Sequence, residues 1–376
     1  MRLLLLSADY PPHAWSGIAH AVQCQADALA GEGVDVHVLT RGAATHCDGD
    51  AVSVRSIGIA FPWRDIAFDC IHLHSVGFAE LAFELRRRTR ARLVYTAHSL
   101  LDRELSDRTE RSAYLAIQRA IMSASDAVVF LSAHERALAL ERMPGLGPTS
   151  HVIANSLPSP PPRRQRYSPS GPVVYAGRFA RSKGLDLLAE VLPRLRHAWG
   201  GRFVVAGGHG DAHGERAVRR LKAELGAALI TPGWLSRPEL ERLFAAAALV
   251  LVPSEYEPFG LVALEAMRMG APVLAADVGG LAENVVAGSG GRVVSSREPD
   301  VWYRAAMDLL NDPLTADAIA SRGPAFVAAR FNDRDLAHRL VREVYGVRAP
   351  RGPAPGSTLA SERLRGAVHW EPVAAL

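Results

Sequence analysis

Two glutamates with seven residues between them stand in the part of the chain that is richest in side chains able to do chemistry. Glu257 lies on an expected loop and Glu265 on an expected helix, which begins at Pro258-Phe259-Gly260 after a buried strand. The free N–H groups at such a helix start attract phosphate. Carboxylates suit hydroxyl groups, which can donate hydrogen bonds to them. Because a phosphate flanked by hydroxyl-bearing groups is a nucleotide sugar, this segment predicts a nucleotide-sugar site.

A plainer interpretation of the two glutamates is a loop charge and a solvated helix face. For Glu265 this interpretation is disfavoured, because the residues on both sides of it are apolar and predict a buried helix. A buried carboxylate is costly unless it has partners. The pair therefore favours a binding site over surface charge.

Two cations open the same half of the chain. In VVYAGRFARSKGLDLL, residues 173–188, Arg178 follows a predicted strand and Lys183-Gly184 leads into a predicted helix. An arginine fork and a compact lysine charge at the end of a strand are suited to hold a diphosphate. A pair of surface cations in a loop is the alternative.

Histidines form the third group of candidates. His98 stands just after a predicted strand at 92–96, and ligands bind beyond the carboxyl ends of parallel strands, so it either contacts a ligand or is a half-buried structural imidazole. Neither the pair His72 and His74 nor the segment GHGDAHG, residues 208–214, has a third well-spaced ligand, so no metal site is expected. The glycines of that segment depart from the dinucleotide-binding spacing and predict a turn.

The elements that must position these residues alternate between short apolar strands and helices, and they do so twice. In the first half, strands are expected at 2–7, 34–40, 52–59, 70–73, 92–96, 127–131 and 151–154, and helices at 17–30, 78–88, 108–123 and 133–142. In the second half, strands are expected at 173–176, 203–206, 228–231, 249–252, 272–275 and 292–294, with helices between them. The pattern predicts an α/β protein with two Rossmann-like, doubly wound domains that face a central cleft.

Six prolines in residues 157–172 interrupt this pattern, because proline continues neither a helix nor a central strand. The expected organisation is an N-terminal domain at 1–160, a proline-rich linker at 161–172, a C-terminal domain at 173–330, a final helix at 331–347 and a loose tail at 348–376.

Composition bounds the class of protein. The 376 residues are 48% hydrophobic and 22% charged with a formal net charge of +4, which fits globular domains and argues against nucleic acid as the main partner. The three cysteines form no CxxC pair, and no apolar run is long enough to span a membrane, so a cytoplasmic protein is expected. Five arginines in residues 86–92 favour a solvated helix end; peripheral contact with anionic lipid is the less favoured alternative.

The second half contains AGRFARSKGLDLL, FVVAGGHG and SEYEPFGLVALEAMRMGAPVLAADVGGLAE, and the first half contains YPPHAWSGIAH, YTAHSL and VIANSLP. Together these segments resemble the retaining glycosyltransferases of family 4, which adopt the two-domain GT-B fold. The resemblance covers roughly residues 1–346. It implies that the C-terminal domain binds a donor nucleotide sugar, that the N-terminal domain binds the acceptor, and that a helix at 333–346 crosses back to the N-terminal domain.

The resemblance also implies a role for each site residue. Arg178 and Lys183 would hold the donor diphosphate, Glu265 would accept from the ribose hydroxyls, and Glu257 would contact hydroxyls of the transferred sugar. His98 would lie near the donor sugar and the reaction centre, so His98, Glu257, Arg178 and Lys183 are the expected catalytic residues. Backbone and helix-start contacts to the donor would come from Gly17, Phe259, Gly260, Leu261 and Val262. This chain has Ser16-Gly17 where the family usually has Gly-Gly.

The predicted function is retaining transfer of a hexose-type sugar from a nucleoside diphosphate, with UDP favoured, to a hydroxyl of a small-molecule or glycan acceptor. No metal or other cofactor is expected, because the two cations and the helix start supply positive charge. Two other classes stay open. One is a nicotinamide-dependent oxidoreductase, although neither first strand is followed by the required glycine motif; the other is a non-catalytic sugar-binding protein.

The acceptor is not identified by the sequence. Residues on loops or element ends that could line its pocket, although scaffold or surface roles are favoured for each, are Trp15, Phe61, Trp63, Asp102 and Glu104.

Overall fold

The computed structural model describes residues 1–11, 16–41, 47–48, 52–56, 66–104, 108–159 and 167–346. These residues form two compact units. Unit 1 comprises Met1–Leu131, Arg136–Asn155 and the described residues from Asp333 on; unit 2 comprises Ser132–Glu135 and Ser156–Asn332. The predicted tail and the first part of the predicted linker lie outside the described residues.

Unit 1 is built on a sheet whose strands are Arg2–Leu6 (β1), Asp35–Thr40 (β2), Cys47–Asp48 (β3), Val52–Ser56 (β4), Cys70–Leu73 (β5), Arg92–Ala97 (β6), Ala127–Phe130 (β7) and Ser150–Val152 (β8). Their order is β3-β4-β2-β1-β5-β6-β7-β8, and all neighbours are parallel except β3 and β4. The accompanying helices are Gly17–Gly31 (α1), Ala79–Thr89 (α2), Leu101–Glu104 (α3), Arg108–Ala124 (α4) and Ala133–Arg142 (α5), of which α5 belongs to unit 1 from Arg136 on.

The apolar run of β1 supplies both faces of this sheet, because successive side chains of a strand point to opposite faces. Leu3 packs in one buried cluster with Val22 of α1. Leu4 packs in a second cluster with Leu85 of α2. This is why a strand covered on both faces reads as a continuous run of leucines rather than as an alternating pattern.

Unit 2 has its own parallel sheet, formed by Val173–Arg178 (β9), Phe203–Gly208 (β10), Leu229–Gly233 (β11), Leu249–Val252 (β12), Val273–Ala276 (β13) and Gly291–Val294 (β14). Its helices are Leu185–Ala198 (α6), Ala212–Leu225 (α7), Arg237–Ala245 (α8), Leu261–Arg268 (α9), Gly279–Gly288 (α10), Pro299–Asn311 (α11) and Pro313–Arg330 (α12). The strand order is β11-β10-β9-β12-β13-β14. The predicted α/β class with two doubly wound, Rossmann-like sheets is confirmed.

The order of the second sheet reverses between β9 and β12. Strands β10 and β11 lie on one side of β9, and β12 with the strands after it lies on the other. Crevices at such a switch point, outside the carboxyl ends of the strands, are the usual binding sites of doubly wound sheets. Arg178 ends β9, and Pro253 directly follows β12.

The last described segment returns to unit 1 as the helix Asp333–Arg339 (α13), followed by a π-helical turn at Leu340–Tyr345. Leu336, Leu340 and Val344 are four residues apart and join the buried cluster that contains Leu3. The helix predicted at 333–346 is therefore present, with its last turn wound more loosely than an α-helix.

Other differences from the sequence-based expectations are small. The two-residue strand β3 carries no pattern that would have revealed it, and the strand expected at 52–59 is described only as far as Ser56. In the described part of the chain, no helix is both long and apolar enough to cross a membrane.

Candidate functional site

The turn after β9 packs directly on the end of β12. The N–H of Glu255 donates to the carbonyl oxygen of Ser182 at 2.8 Å. Gly184 has a φ of +75°, and a Cβ at this position would lie 2.0 Å from the carbonyl oxygen of Pro253. Glycine follows Lys183 because this close approach and the left-handed backbone both exclude a side chain.

This packing brings two predicted site residues into contact. The Nζ of Lys183 lies 2.8 Å from Oε2 of Glu257, and 21% and 17% of the two side chains remain exposed. The hydroxyl of Ser254 lies 3.4 Å from the same carboxylate oxygen. The sequence assigned Lys183 to phosphate and Glu257 to sugar, whereas the structure joins them as an ion pair that is open to solvent. A phosphate entering here would compete with Glu257 for the ammonium group.

Arg178 is the last residue of β9 rather than a loop residue. The hydroxyl of Tyr175 donates to its carbonyl oxygen at 2.7 Å, and burial raises the pKa of Tyr175, so the phenol stays protonated. This bond fixes the backbone where the strand ends. Arg178 and Lys183 thus both lie at the carboxyl end of β9, on the β9 side of the switch point. Arg178 is the last residue of the strand, and Lys183 is in the turn that follows.

The helix start predicted after Glu257 is present. Gly260, at a φ of +86°, caps α9, whose first residues are Leu261 and Val262. A Cβ on Gly260 would lie 2.9 Å from the Cα of Leu281, so close packing against α10 requires glycine here. The first backbone N–H groups of α9 have no partner within the helix and are suited to an anion.

Phe259, which was expected to contact the donor at the helix start, has a buried side chain. It is only 3% exposed, and its ring makes an edge contact with Phe331, with centroids 5.7 Å apart. Its carbonyl oxygen accepts from the amide of Asn284 at 2.8 Å. Phe259 therefore supports the helix start from the interior. Its position between a proline and a glycine in the sequence did not indicate this role.

Glu265 lies on the second turn of α9 and lines a small pocket with Arg237, Glu241, Phe244 and Arg268. Burial raises the pKa of Glu265 to about 7, although the two arginines act in the opposite direction. The side chain is half-buried rather than enclosed, so the expected wholly buried helix is only partly correct. A half-buried carboxyl group that is partly protonated at neutral pH suits hydroxyl partners better than phosphate.

The glycine-rich segment 208–214 is a turn, as predicted. A Cβ on Gly210 or Gly214 would lie 2.0 or 1.8 Å from the carbonyl oxygen of Phe179, so these glycines serve close packing. Asp211 caps α7 through the N–H groups of His213 and Gly214. Within the described ranges, no three histidine, cysteine or acidic side chains converge as metal ligands would.

Two predicted donor residues belong to unit 1. Gly17 is the exposed first residue of α1, at the start of the helix expected at 17–30. Ser16 caps that helix: its hydroxyl accepts from the N–H of Ala19 at 3.1 Å and donates to Asp9 at 2.9 Å. The serine found where a second glycine was expected therefore has a capping role.

His98 follows β6, and its Nε2 lies 3.0 Å from Nδ1 of the buried His74. His74 and His72 were considered above only as metal ligands. The structure instead joins them by hydrogen bonds to Gln25 and Tyr345, neither of which sequence reasoning selected. The available signal was the placement of all three histidines at the ends of neighbouring strands.

Of the residues considered for the acceptor pocket, Asp102 forms an ion pair with Arg142 at 3.0 Å, as a scaffold residue would. Trp15, Phe61 and Trp63 lie outside the described residues, and the side chain of Glu104 is not among those described.

Two family models match the chain. The model "Glycosyl transferase 4-like domain" matches residues 16–156, and "Glycosyl transferases group 1" matches residues 171–312. A glycogen synthase of Mycobacterium tuberculosis is 28% identical over an aligned length of 415 residues, gaps included, that covers 97% of this chain and 99% of the relative. A D-inositol 3-phosphate glycosyltransferase of Catenulispora acidiphila is 30% identical over an aligned length of 369 residues, gaps included, that covers 83% of this chain and 86% of the relative.

Solved structures show the same fold. Sucrose-phosphate synthase from Thermosynechococcus elongatus superposes with a TM-score of 0.77 at 23% identity, over 90% of this chain and 97% of its own. Anabaena Alr3699/HepE in complex with UDP-glucose superposes with a TM-score of 0.74 at 19% identity, over 92% of this chain and 100% of its own. The chain belongs to the group 1 glycosyltransferases of the family 4 type, and it is a glycosyltransferase with the GT-B fold.

Proposed function

We propose that this glycosyltransferase moves a hexose-type sugar from a nucleoside diphosphate, with UDP as the favoured nucleotide, to a hydroxyl of a small-molecule or glycan acceptor. The observation that carries the proposal is the contact between Lys183 and Glu257 at the switch point of unit 2. A cation suited to phosphate and a carboxylate suited to hydroxyl groups therefore lie within one ligand's length of each other, which supports the proposal. A nucleotide sugar has both groups adjacent across its glycosidic bond.

Unit 2 is the proposed donor-binding unit. Arg178 and Lys183 lie at the carboxyl end of β9, and the N–H groups at the start of α9 come after the neighbouring strand, β12. The diphosphate would displace Glu257 from Lys183, and the released carboxylate would accept from hydroxyls of the transferred sugar. Glu265, on the next turn of α9, would accept from the ribose hydroxyls.

The relatives support the kinds of substrate. Alr3699/HepE was solved with UDP-glucose. The names of the two enzyme relatives indicate a glycan product for one and a phosphorylated polyol acceptor for the other. Unit 1 is accordingly proposed to bind the acceptor, with His98 near the reacting sugar.

The proposed step is front-face transfer with retention. The bond between the sugar C1 and the donor phosphate oxygen breaks, and a bond from C1 to the acceptor oxygen forms on the same face. The acceptor proton passes to the departing phosphate oxygen. Arg178 and Lys183 stabilise the negative charge that grows on the diphosphate, so no metal ion is required for that purpose.

The test is mass spectrometry of products from a panel of nucleotide sugars and hydroxylated acceptors, in buffer containing EDTA. We expect a hexose transferred from UDP-sugar, with the product anomer, assigned by NMR, matching the donor. Calorimetry with UDP, GDP and NADH accompanies the panel. Binding of NADH alone would overturn the proposal in favour of an oxidoreductase, and sugar binding without turnover on any acceptor would favour a non-catalytic protein.

A further inference from the structure

The loop that carries Glu257, residues 253–259, is anchored at its middle by a buried carboxyl group; we call it the glutamate loop. The hydroxyl of Tyr256, directly before Glu257, donates to Oε2 of Glu135 at 2.7 Å. Glu135 is 1% exposed and belongs, with residues 132–134, to unit 2. A polar group buried this deeply is costly to leave without its hydrogen bonds, so the contact holds Tyr256 in place.

The segment that carries Glu135 is itself fixed. The hydroxyl of Ser132 accepts from the N–H of Glu135 at 3.2 Å, at the start of α5. The carboxylate of Glu283, on α10, accepts from the N–H groups of Ala133 and His134 at 3.2 and 2.7 Å. Two acceptors, one local and one from α10, thus satisfy the first N–H groups of this helix, which have no partner within it. Glu135 is therefore a rigid point of attachment for the loop.

The backbone of the glutamate loop is held from the side of α10. A Cβ on Gly279 would lie 2.4 Å from the carbonyl oxygen of Glu257. A Cβ on Gly280 would lie 2.8 Å from the Cβ of Ser132. The two glycines at the start of α10 therefore let that helix touch both the loop and the segment 132–135. The loop backbone thus has a support that does not involve the lysine of the site.

This support matters when the carboxylate of Glu257 changes partner. It lies 2.8 Å from Nζ of Lys183, and in the proposed function the donor diphosphate takes that lysine. The released carboxylate then keeps its position only if the residues around it keep theirs. Tyr256 and Glu257 share a rigid peptide group, so a fixed Tyr256 ring limits the directions in which the Glu257 side chain can point. A group held in advance near its reacting geometry need not be ordered during the reaction.

We infer that Glu135 is a positioning residue that holds Glu257 toward the transferred sugar by way of Tyr256. The role toward the sugar rests on the proposed function, whereas the effect on the pair of Glu257 and Lys183 does not. The alternative is that Ser132 and Glu135, which are spaced as in a capping box, serve only to begin α5. In that case the Tyr256 hydroxyl would have no influence on Glu257.

The pair can be observed without substrate, because the chain has only two lysines, Lys183 and Lys222. NMR of the full chain labelled with [6-¹³C]lysine gives one Cε signal for each, assigned by the loss of one signal in Lys183→Arg. Glu257→Gln marks the signal position of Lys183 without its carboxylate partner. We expect the Lys183 signal of Tyr256→Phe to lie between the wild-type and Glu257→Gln positions. A signal unchanged from wild type, or a wild-type signal already at the Glu257→Gln position, would overturn the inference.

Catalysis supplies the second readout, with the donor and acceptor that the product panel identifies. In Tyr256→Phe, kcat should fall roughly 10- to 10²-fold, the size of effect that a misplacement of about 1 Å has. The Kd of UDP should not rise, because UDP lacks the transferred sugar; a weaker UDP affinity would indicate general damage and contradict the inference. Glu135→Gln keeps an acceptor oxygen for the Tyr256 hydroxyl and should retain most of the activity that Glu135→Ala loses.

Tyr167→Phe is the matched control. The hydroxyl of Tyr167 also donates within unit 2, to the carbonyl oxygen of Ala248 at 3.2 Å, but Ala248 lies just before β12 and the glutamate loop follows the other end of that strand. Tyr167→Phe should leave the Lys183 signal and kcat at their wild-type values. An equal loss of kcat in Tyr167→Phe and Tyr256→Phe would count against the anchor. Because the lysine spectra need no donor, failure of the proposed function would show separately, as absence of UDP binding.

Discussion

In both units the first strand lies inside its sheet with later strands on either side, yet the strand ends carry different chemistry. In unit 2 they hold ionised groups, of which Lys183 and Glu257 pair at 2.8 Å. In unit 1 they hold histidines, and burial keeps His72 and His74 uncharged. The difference teaches that one architecture can supply two kinds of recognition, charge that suits phosphate and neutral hydrogen bonds that suit hydroxyl groups.

We call the strand ends of unit 2, which hold Lys183 and Glu257, the charged region, and the strand ends of unit 1, which hold His72 and His74, the neutral region. The largest expected effect concerns the charged region. Replacing Lys183 by alanine removes one of the two cations proposed to oppose the growing diphosphate charge, so kcat at saturating donor should fall roughly 10²- to 10³-fold. The chain offers a matched control, since its only other lysine, Lys222, is exposed on α7. Lys222→Ala should keep wild-type kcat. A Lys183→Ala enzyme that also kept it would remove the distinction between the two regions.

The next test separates crowding from backbone strain in the charged region. Gly184 and Gly200 have φ values of +75° and +79°, but only Gly184 has an atom within 4 Å of a built Cβ. Gly200→Ala should cost about 1 kcal/mol of unfolding free energy for the left-handed backbone alone. Gly184→Ala should cost about 3 kcal/mol, because the turn must also withdraw from Pro253. Equal values in urea unfolding would mean that the turn is not held by that contact.

Because of the uncharged histidines of the neutral region, we expect the stability of the folded state to be sensitive to acid. The unfolded chain binds protons at His72 and His74 below pH 6.5, whereas the folded chain does not until far lower pH, so stability falls as pH falls. Between pH 6.5 and 5.5 the two histidines together should remove about 2 kcal/mol. Native-state hydrogen exchange of the β1 and β5 amides measures this loss. His74→Gln should halve it and the exposed His209→Gln should not; a loss of the same size in all three proteins would contradict the assignment.

The smallest effect concerns Glu265, whose carboxyl group is partly protonated at neutral pH. Its pKa of about 7 exceeds the ordinary 4.5, so the folded state keeps a proton that the unfolded state releases, and stability falls as pH rises from 4.5 to 7. The unfolding free energy of Glu265→Gln relative to wild type should therefore increase by about 1 kcal/mol between pH 5 and pH 8, after allowance for the partial exposure of the side chain. Glu255→Gln, at an exposed carboxylate, should gain none. Chemical unfolding at both pH values tests whether the pH dependence of stability has opposite signs in the charged and neutral regions.

Much of this comparison could be predicted from the sequence. The buried strands read as apolar runs, and the glycines and prolines that end them marked Arg178, Lys183 and Glu257 as lying at strand ends. Pairings across long stretches of chain left no local pattern. Lys183 and Glu257 are 74 residues apart, and His72 and Tyr345 are 273 apart, so only the folded sheets bring them together.

The sequence also did not distinguish side chains that bind from side chains that support. Phe259 precedes a helix start, which made it a candidate for backbone contact with the donor, and tertiary packing places its ring against Phe331. Ser16 departed from the expected glycine pair, and only the cap geometry of α1 explains it. Burial and capping depend on neighbours that no local spacing encodes.

The close packing of Gly184 on Pro253 has a consequence for engineering. Together with the bond from Glu255 to Ser182, it joins the lysine turn and the glutamate loop into one body. A chimera that exchanged only one of these segments with a homologue would bring together two surfaces shaped for other partners. The proposed donor specificity is therefore best transplanted by exchanging the segment from β9 to the start of α6 together with the segment from the end of β12 through α9, both taken from the same parent.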